Sequence, residues 1–188
     1  MEMLDLYTKD RVRTGQTIAR GAKIPDGFYR LVVHVCIFNA SGEMLIQLRN
    51  PKKDGWAGYW DVSLGGAAVA GDTSREAAIR EAGEELGLDL REILLDARPA
   101  LSVAFENGFD DFYTVVMELD SKDLHLQASE VVEVRWASED EIVRRIEDGS
   151  FIPYDPNAIR FLFSLRDHMG TRRHLERRNY SPSGSCAL

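Results

Sequence analysis

The chain has 188 residues, of which 44% are hydrophobic and 29% charged, the balance of one globular domain that buries about 70% of its unfolded surface. This excludes disordered, collagen-like and coiled-coil chains, and no apolar run approaches the ~20 residues of a membrane span, so a soluble protein is expected. A net charge of −8, from 31 acids against 23 bases, argues against a general nucleic-acid binder, which needs basic surface to displace counterions.

Residues 1–13 mix acids and bases without a signal-peptide stretch, so the expected location is cytoplasmic. Residues 1–28 read as a lead segment packed on the domain, 29–169 as the domain itself, and 170–188 as a basic, flexible tail. Cys36 and Cys186 are too far apart to form a metal cluster or a disulfide framework and read as free thiols.

In chain order, residues 31–39 form a buried strand, Ser41-Gly42 a turn, and residues 43–49 its hairpin partner, with Met44, Ile46 and Leu48 in alternation. Residues 51–58 are a loop carrying Lys52, Lys53 and Trp56, followed by short strand material at 59–64 and 67–69. Thr73 and Glu76 have capping-box spacing and open an alanine-rich helix that runs to Leu86 and closes at Gly87. Strands follow at 100–105, 109–119 and 131–136, and helices at 139–147 and 156–168. The intermixing predicts an α/β sandwich with a mixed sheet between helices. His34, inside an apolar strand, reads as a satisfied core histidine. Trp56, Trp60, Phe112 and Tyr113 could stack a base, although aromatic residues flanking strands belong more often to the core.

The informative segment begins at Gly65-Gly66 and enters a helix carrying Arg80, Glu81, Glu84 and Glu85. Spacings of three and four place the glutamates on one helical face. Such carboxylates form a hard oxygen-donor surface suited to Mg2+ or Mn2+, ions that keep several waters and bridge to substrate phosphates. Acid clustering alone also fits a solvated helix face. The glycine entry and the Arg80 to Glu84 pairing add weight to the metal reading.

These residues resemble the Nudix hydrolase signature, G-x5-E-x7-R-E-U-x-E-E-x-G-U with U apolar. Gly66, Arg80, Glu81, Ala82, Glu84, Glu85, Gly87 and Leu88 fit in register, and Asp72 stands where the family has Glu. The resemblance implies a Nudix-type α/β/α fold and a divalent-metal-dependent hydrolase of a diphosphate linkage, cleaved by water attack at phosphorus. The implied substrate is a nucleoside diphosphate linked to another moiety. It implies metal binding by Glu81, Glu84 and Glu85, with the Gly66 backbone close by. Arg80 orients the glutamates, and Asp72 supports Arg80. Glu130 stands where such hydrolases place a glutamate that binds a further metal or activates water. Glu84, Glu85, Glu130 and Arg80 are therefore the candidate catalytic residues, and Arg49, Lys52, Lys53 and Trp56 the candidate substrate-binding residues. The expected partner is a small-molecule diphosphate, with no specific nucleic acid and no membrane; a homodimer is left open.

Residues 7–61 also resemble the isopentenyl-diphosphate isomerase branch of the superfamily, in Ile37-Phe38-Asn39, Gly42, Arg49 and Trp56 to Trp60. That family uses a cysteine as proton donor where this chain has Gly65, and its metal-binding histidines align with Arg30 and Ala67. The resemblance is thus to the isomerase-like hydrolases of bacteria. Isomerisation of an allylic diphosphate and a non-catalytic nucleotide sensor are the competing readings.

Overall fold

The computed structural model describes residues 1–53, 55–168 and 170, so the expected tail lies almost wholly outside the described residues. Two strands, β1 (Met3–Tyr7) and β2 (Arg13–Ala19), form an antiparallel hairpin within the lead segment, for which no strand is expected from sequence. β2 is mostly exposed and polar, so alternation does not betray it. Its place is fixed by β1, whose Leu4 and Leu6 are buried, and by Ala70 N–H donating to Met3 C=O at 2.7 Å.

The main sheet has two limbs. One carries β3 (Arg30–Phe38), flanked by β6 (Leu64–Ala67) and, in parallel register, by β8 (Gly108–Val116), with β7 (Leu101–Phe105) outside β8. The other carries β4 (Met44–Arg49) between β5 (Trp60–Asp61) and β9 (Val131–Ala137). The expected β3–β4 hairpin is corrected here: its strands pair only at Phe38 and Met44 and then splay. Ser63 bridges the split, its Oγ accepting from Ile37 N–H at 2.8 Å and donating to Leu45 C=O at 2.6 Å.

Helix α1 (Ser74–Leu86) packs on one face of the sheet, where Leu31, Val33, Val35, Ile37 and Leu45 meet Ala77, Ala78, Ala82 and Leu86. The three alanines, all fully buried, keep the helix close to the sheet. Both predicted end signals are present: Thr73 and Glu76 bond reciprocally, and Gly87 closes the helix at φ 70° while Leu88 N–H reaches Ala82 C=O at 3.0 Å. Helices α2 (Glu139–Glu147) and α3 (Pro156–Ser164) cover part of the other face, against Cys36, Phe38, Met44, Ile46 and Phe112. α3 ends four residues earlier than the sequence indicates, at a Leu165 cap.

A fully buried carboxylate, Asp111 on β8, ties these parts together. It accepts from Arg11 at the tip of the β1–β2 hairpin, from Ser74 at the start of α1, and from Ser102 Oγ of β7 at 2.6 Å. Among the described residues, no helix is long and apolar enough to cross a membrane.

Candidate active site

Glu81 and Glu85, one turn apart on α1, point inward and are 5% and 2% exposed. Arg80 Nη1 donates to Glu81 Oε1 at 2.9 Å. Glu85 Oε2 accepts from Gln47 Nε2 at 3.1 Å and from Gly65 N–H at 3.3 Å. Glu84 is half exposed and meets Arg80 Nη1 at 3.1 Å. Arg80 is the hub of the cluster: it also donates to Ala67 C=O at 3.2 Å and to Asp72 Oδ2 at 3.1 Å, so the shorter acid at position 72 reaches it.

Burial pushes the Glu85 carboxyl up to about 7, and the neighbouring Glu81 reinforces the shift against the pull of Lys53, Gln47 and Gly65. Glu81 is also raised by burial, with Arg80 opposing. Two buried carboxylates whose pKa values are both raised by burial are a place where a cation lowers the energy.

The glycines make room for this arrangement. A Cβ on Gly66 would stand 2.3 Å from Glu81 Oε1. A Cβ on Gly65 would stand 2.7 Å from His34 Nδ1 and 2.8 Å from Val33 C=O, so no side chain fits there without displacing backbone. Among the described residues, no three His, Cys, Asp or Glu side chains converge into a complete ion-binding set. The donors present are hard oxygens in a partial shell, which suits Mg2+ or Mn2+, because such ions keep waters and substrate oxygens in their remaining positions.

Gly65 and Gly66, against which Glu85 and Glu81 lie, border a cleft of about 940 Å³. Lys53 bridges from the loop to Glu130, with its Nζ also 4.0 Å from Glu85. Burial lowers the Lys53 pKa, and neighbouring Arg49 adds to the effect. Arg49 donates to Gly55 C=O at 3.1 Å and to Asp61 at 3.3 Å, and Lys52 lines the rim. Trp56 is 50% exposed and edge-on to Tyr59 at 5.5 Å, whereas Trp60, Phe112 and Tyr113 are in the core.

The cleft also contains residues that the sequence reading did not assign to a site. His34 is not a satisfied core histidine. It lines the cleft stacked on Phe112, with Nε2 on Asp110 Oδ1 at 3.1 Å and Nδ1 buried without a partner. Tyr154 donates to Asp61 at 2.9 Å, and Arg30 lies along the same wall. The β1–β2 hairpin adds Arg20 to the lining.

The NUDIX domain family matches residues 28–156. An uncharacterised Nudix hydrolase of Listeria innocua is 44% identical over 154 residues, covering 82% of this chain and 90% of that protein. The chain belongs to the Nudix family. The crystal structure of DR0079 from Deinococcus radiodurans superposes with a TM-score of 0.70 at 26% identity, covering 86% of this chain and 99% of that one. An isopentenyl-diphosphate Delta-isomerase of Escherichia coli is 26% identical over 151 residues, covering 78% of this chain and 82% of that protein. This Nudix chain is therefore a pyrophosphohydrolase acting on phosphorus-containing acid anhydrides, in a family that hydrolyses nucleoside diphosphates linked to another moiety. Nudix hydrolases generally use divalent metals such as Mg2+ or Mn2+ and take small-molecule diphosphate substrates.

Proposed function

We propose that the chain cleaves the diphosphate of a nucleoside diphosphate bearing a second moiety, in a Mg2+- or Mn2+-dependent reaction at Glu81, Glu84 and Glu85. The observation that carries this reading is the pair of buried carboxylates, Glu81 and Glu85, set against Gly65 and Gly66 at the edge of a cleft lined by Lys52, Lys53 and Arg49. When bound, the divalent ion supplies neutralisation of charge on the phosphate oxygens and a more acidic water.

The chain's own residues do the rest. Arg49, Lys52 and Lys53 hold phosphate oxygens, which lets a chain of net charge −8 admit a polyanion. Arg80 keeps Glu81 and Glu84 oriented from one guanidinium. Glu130, released from Lys53 when phosphate engages that ammonium, and Glu85 are the two groups placed to take the proton from attacking water. Trp56 offers an exposed ring for a base to stack on. The isomerase alternative lacks a proton donor at Gly65, where the His34 ring and the Val33 carbonyl leave no room for a thiol.

A panel of nucleoside diphosphate sugars, dinucleotides, nucleoside triphosphates and prenyl diphosphates tests the proposal, with phosphate release read after phosphatase coupling. At least one diphosphate should turn over with Mg2+ and stop turning over in EDTA. Full activity in EDTA, or no turnover across the panel despite metal binding by calorimetry, refutes it and favours the sensor.

A further inference from the structure

Arg30 opens β3 three residues before Val33, the sheet partner of Gly66, which places it roughly 10 Å along the strand from the glycine turn at ~3.3 Å per residue. Its guanidinium lies over the Phe105 ring, with 5.8 Å from the guanidinium carbon to the ring centroid. Phe105 can fold across β8 only because Gly108 has no side chain: a Cβ there would stand 2.3 Å from the ring's Cζ.

Arg30 is otherwise unpaired. Among the described residues no carboxylate oxygen comes within 4.0 Å of it, and its Nε is buried with no acceptor. Asp110, the acid on the neighbouring strand, has Oδ1 engaged by His34. Arg135, whose Nε is also buried without an acceptor, differs in having Glu141 as a carboxylate partner. A partly buried cation with no carboxylate beside it opposes folding, and an anion held by its terminal Nη donors offsets that cost. Arg49, Lys52 and Lys53 sit on the loop side of the cleft, near the glutamates through Lys53, which leaves Arg30 for a second negative group.

We infer that Arg30 is a specificity-determining residue, an anion subsite for a phosphomonoester or carboxylate on the moiety remote from the scissile diphosphate. The inference rests on the diphosphate-hydrolase reading above. A planar guanidinium beside an aromatic ring presents its terminal N–H donors as a fork, the geometry that matches either oxyanion. The substrate class narrows accordingly to diphosphates with a third charged group about one sugar unit away.

The test is titration calorimetry with methylene-bridged, non-hydrolysable pairs in Mg2+. One pair is a nucleoside diphosphate hexose and its uronic-acid counterpart; the other is a dinucleotide and its ribose-phosphorylated counterpart. The wild type should bind the charged member of one pair about 10- to 100-fold more tightly than the neutral member. A preference in the first pair identifies a carboxylate, and in the second a phosphate. Arg30→Gln should bring that ratio to about one, and Arg30→Lys should restore part of it. Arg30→Met should leave the melting temperature unchanged or higher, because an unpaired charge is removed; a fall of more than about 4 °C marks a structural role and overturns the inference. So does equal or absent binding of both members in the wild type, or a ratio that survives Arg30→Gln. Turnover of the hydrolysable parents is read separately. Preference without turnover sinks the hydrolase reading and keeps the subsite, and turnover without preference does the reverse.

Discussion

Gly66→Ala adds one methyl group where the Glu81 carboxylate now lies, 2.3 Å from Oε1 and 2.4 Å from Cδ. The backbone of Gly66 is not in the positive-φ region, so alanine introduces no backbone strain and the effect is purely one of space. The methyl group meets the far end of a flexible side chain, which must swing off its 2.9 Å bond to Arg80. A hydrogen bond to a charged group contributes ~1.5 to 3 kcal/mol, and replacing Gly by Ala returns ~0.4 to 1 kcal/mol through the unfolded chain, leaving a net loss of about 0.5 to 2.6 kcal/mol. Displacing an orienting contact at a metal ligand lowers affinity ~10- to 100-fold. Urea denaturation should therefore show a modest stability loss, while Mn2+ titration by electron paramagnetic resonance shows a large fall in affinity with a parallel fall in kcat. Wild-type Mn2+ affinity and turnover in this variant would refute the assignment of Glu81 and the space beside Gly66 to the ion.

Three further outcomes are expected. Ser63→Ala leaves Ile37 N–H and Leu45 C=O unpaired in the interior at the split between β3 and β4, and should cost about 2 to 4 kcal/mol in urea denaturation at unchanged m; a loss below about 1 kcal/mol removes Ser63 from that role. With its carboxyl at about 7 in the folded metal-free protein against an ordinary 4.5, Glu85 stabilises the fold below pH 4.5, and that contribution is lost as pH rises through 7. Melting temperatures of wild type minus Glu85→Gln should fall across that window and recover with Mg2+, whereas a flat difference contradicts the burial argument. Glu84→Gln and Glu85→Gln should each lower kcat about 10²- to 10³-fold, while Asp72→Glu, which keeps a carboxylate on Arg80, stays near wild type; wild-type rates for both glutamate variants reject the site.

Helix α1 and its charged cluster were readable because every signal is local: the Thr73–Glu76 cap, the buried alanines and the Gly87 stop lie within one stretch of chain. The splayed sheet is not readable from local pattern, since β3 and β4 look like a hairpin in sequence and the segment 60–67 enters between them, its β5 end pairing with β4 and its β6 end with β3. The surroundings of His34 likewise depend on non-local pairing. Its apolar neighbours Val33 and Val35 face α1, while its own side of β3 runs out beyond the cover of α3 and meets Asp110 only through the parallel register with β8. Lys53 was visible as a loop cation, but its bridge to Glu130 depends on β9 folding beside β4. The lead hairpin was hidden by a polar second strand.

The contact between Gly65 and His34 also bears on how such chains diversify. A cysteine at position 65 would have to displace an imidazole stacked on Phe112 and a strand carbonyl, so no single codon change leads from this framework to one with a thiol over the substrate. Trimming the side chain at position 34 relieves only the imidazole contact and opens a void beside Phe112 and Tyr154, while the Val33 carbonyl, 2.8 Å from a Cβ at 65, still stands in the way. Positions 65 and 34 are thus coupled through the strand between them: a side chain at 65 calls for both a smaller residue at 34 and a shift of the β3 backbone at Val33, and neither change alone makes the room.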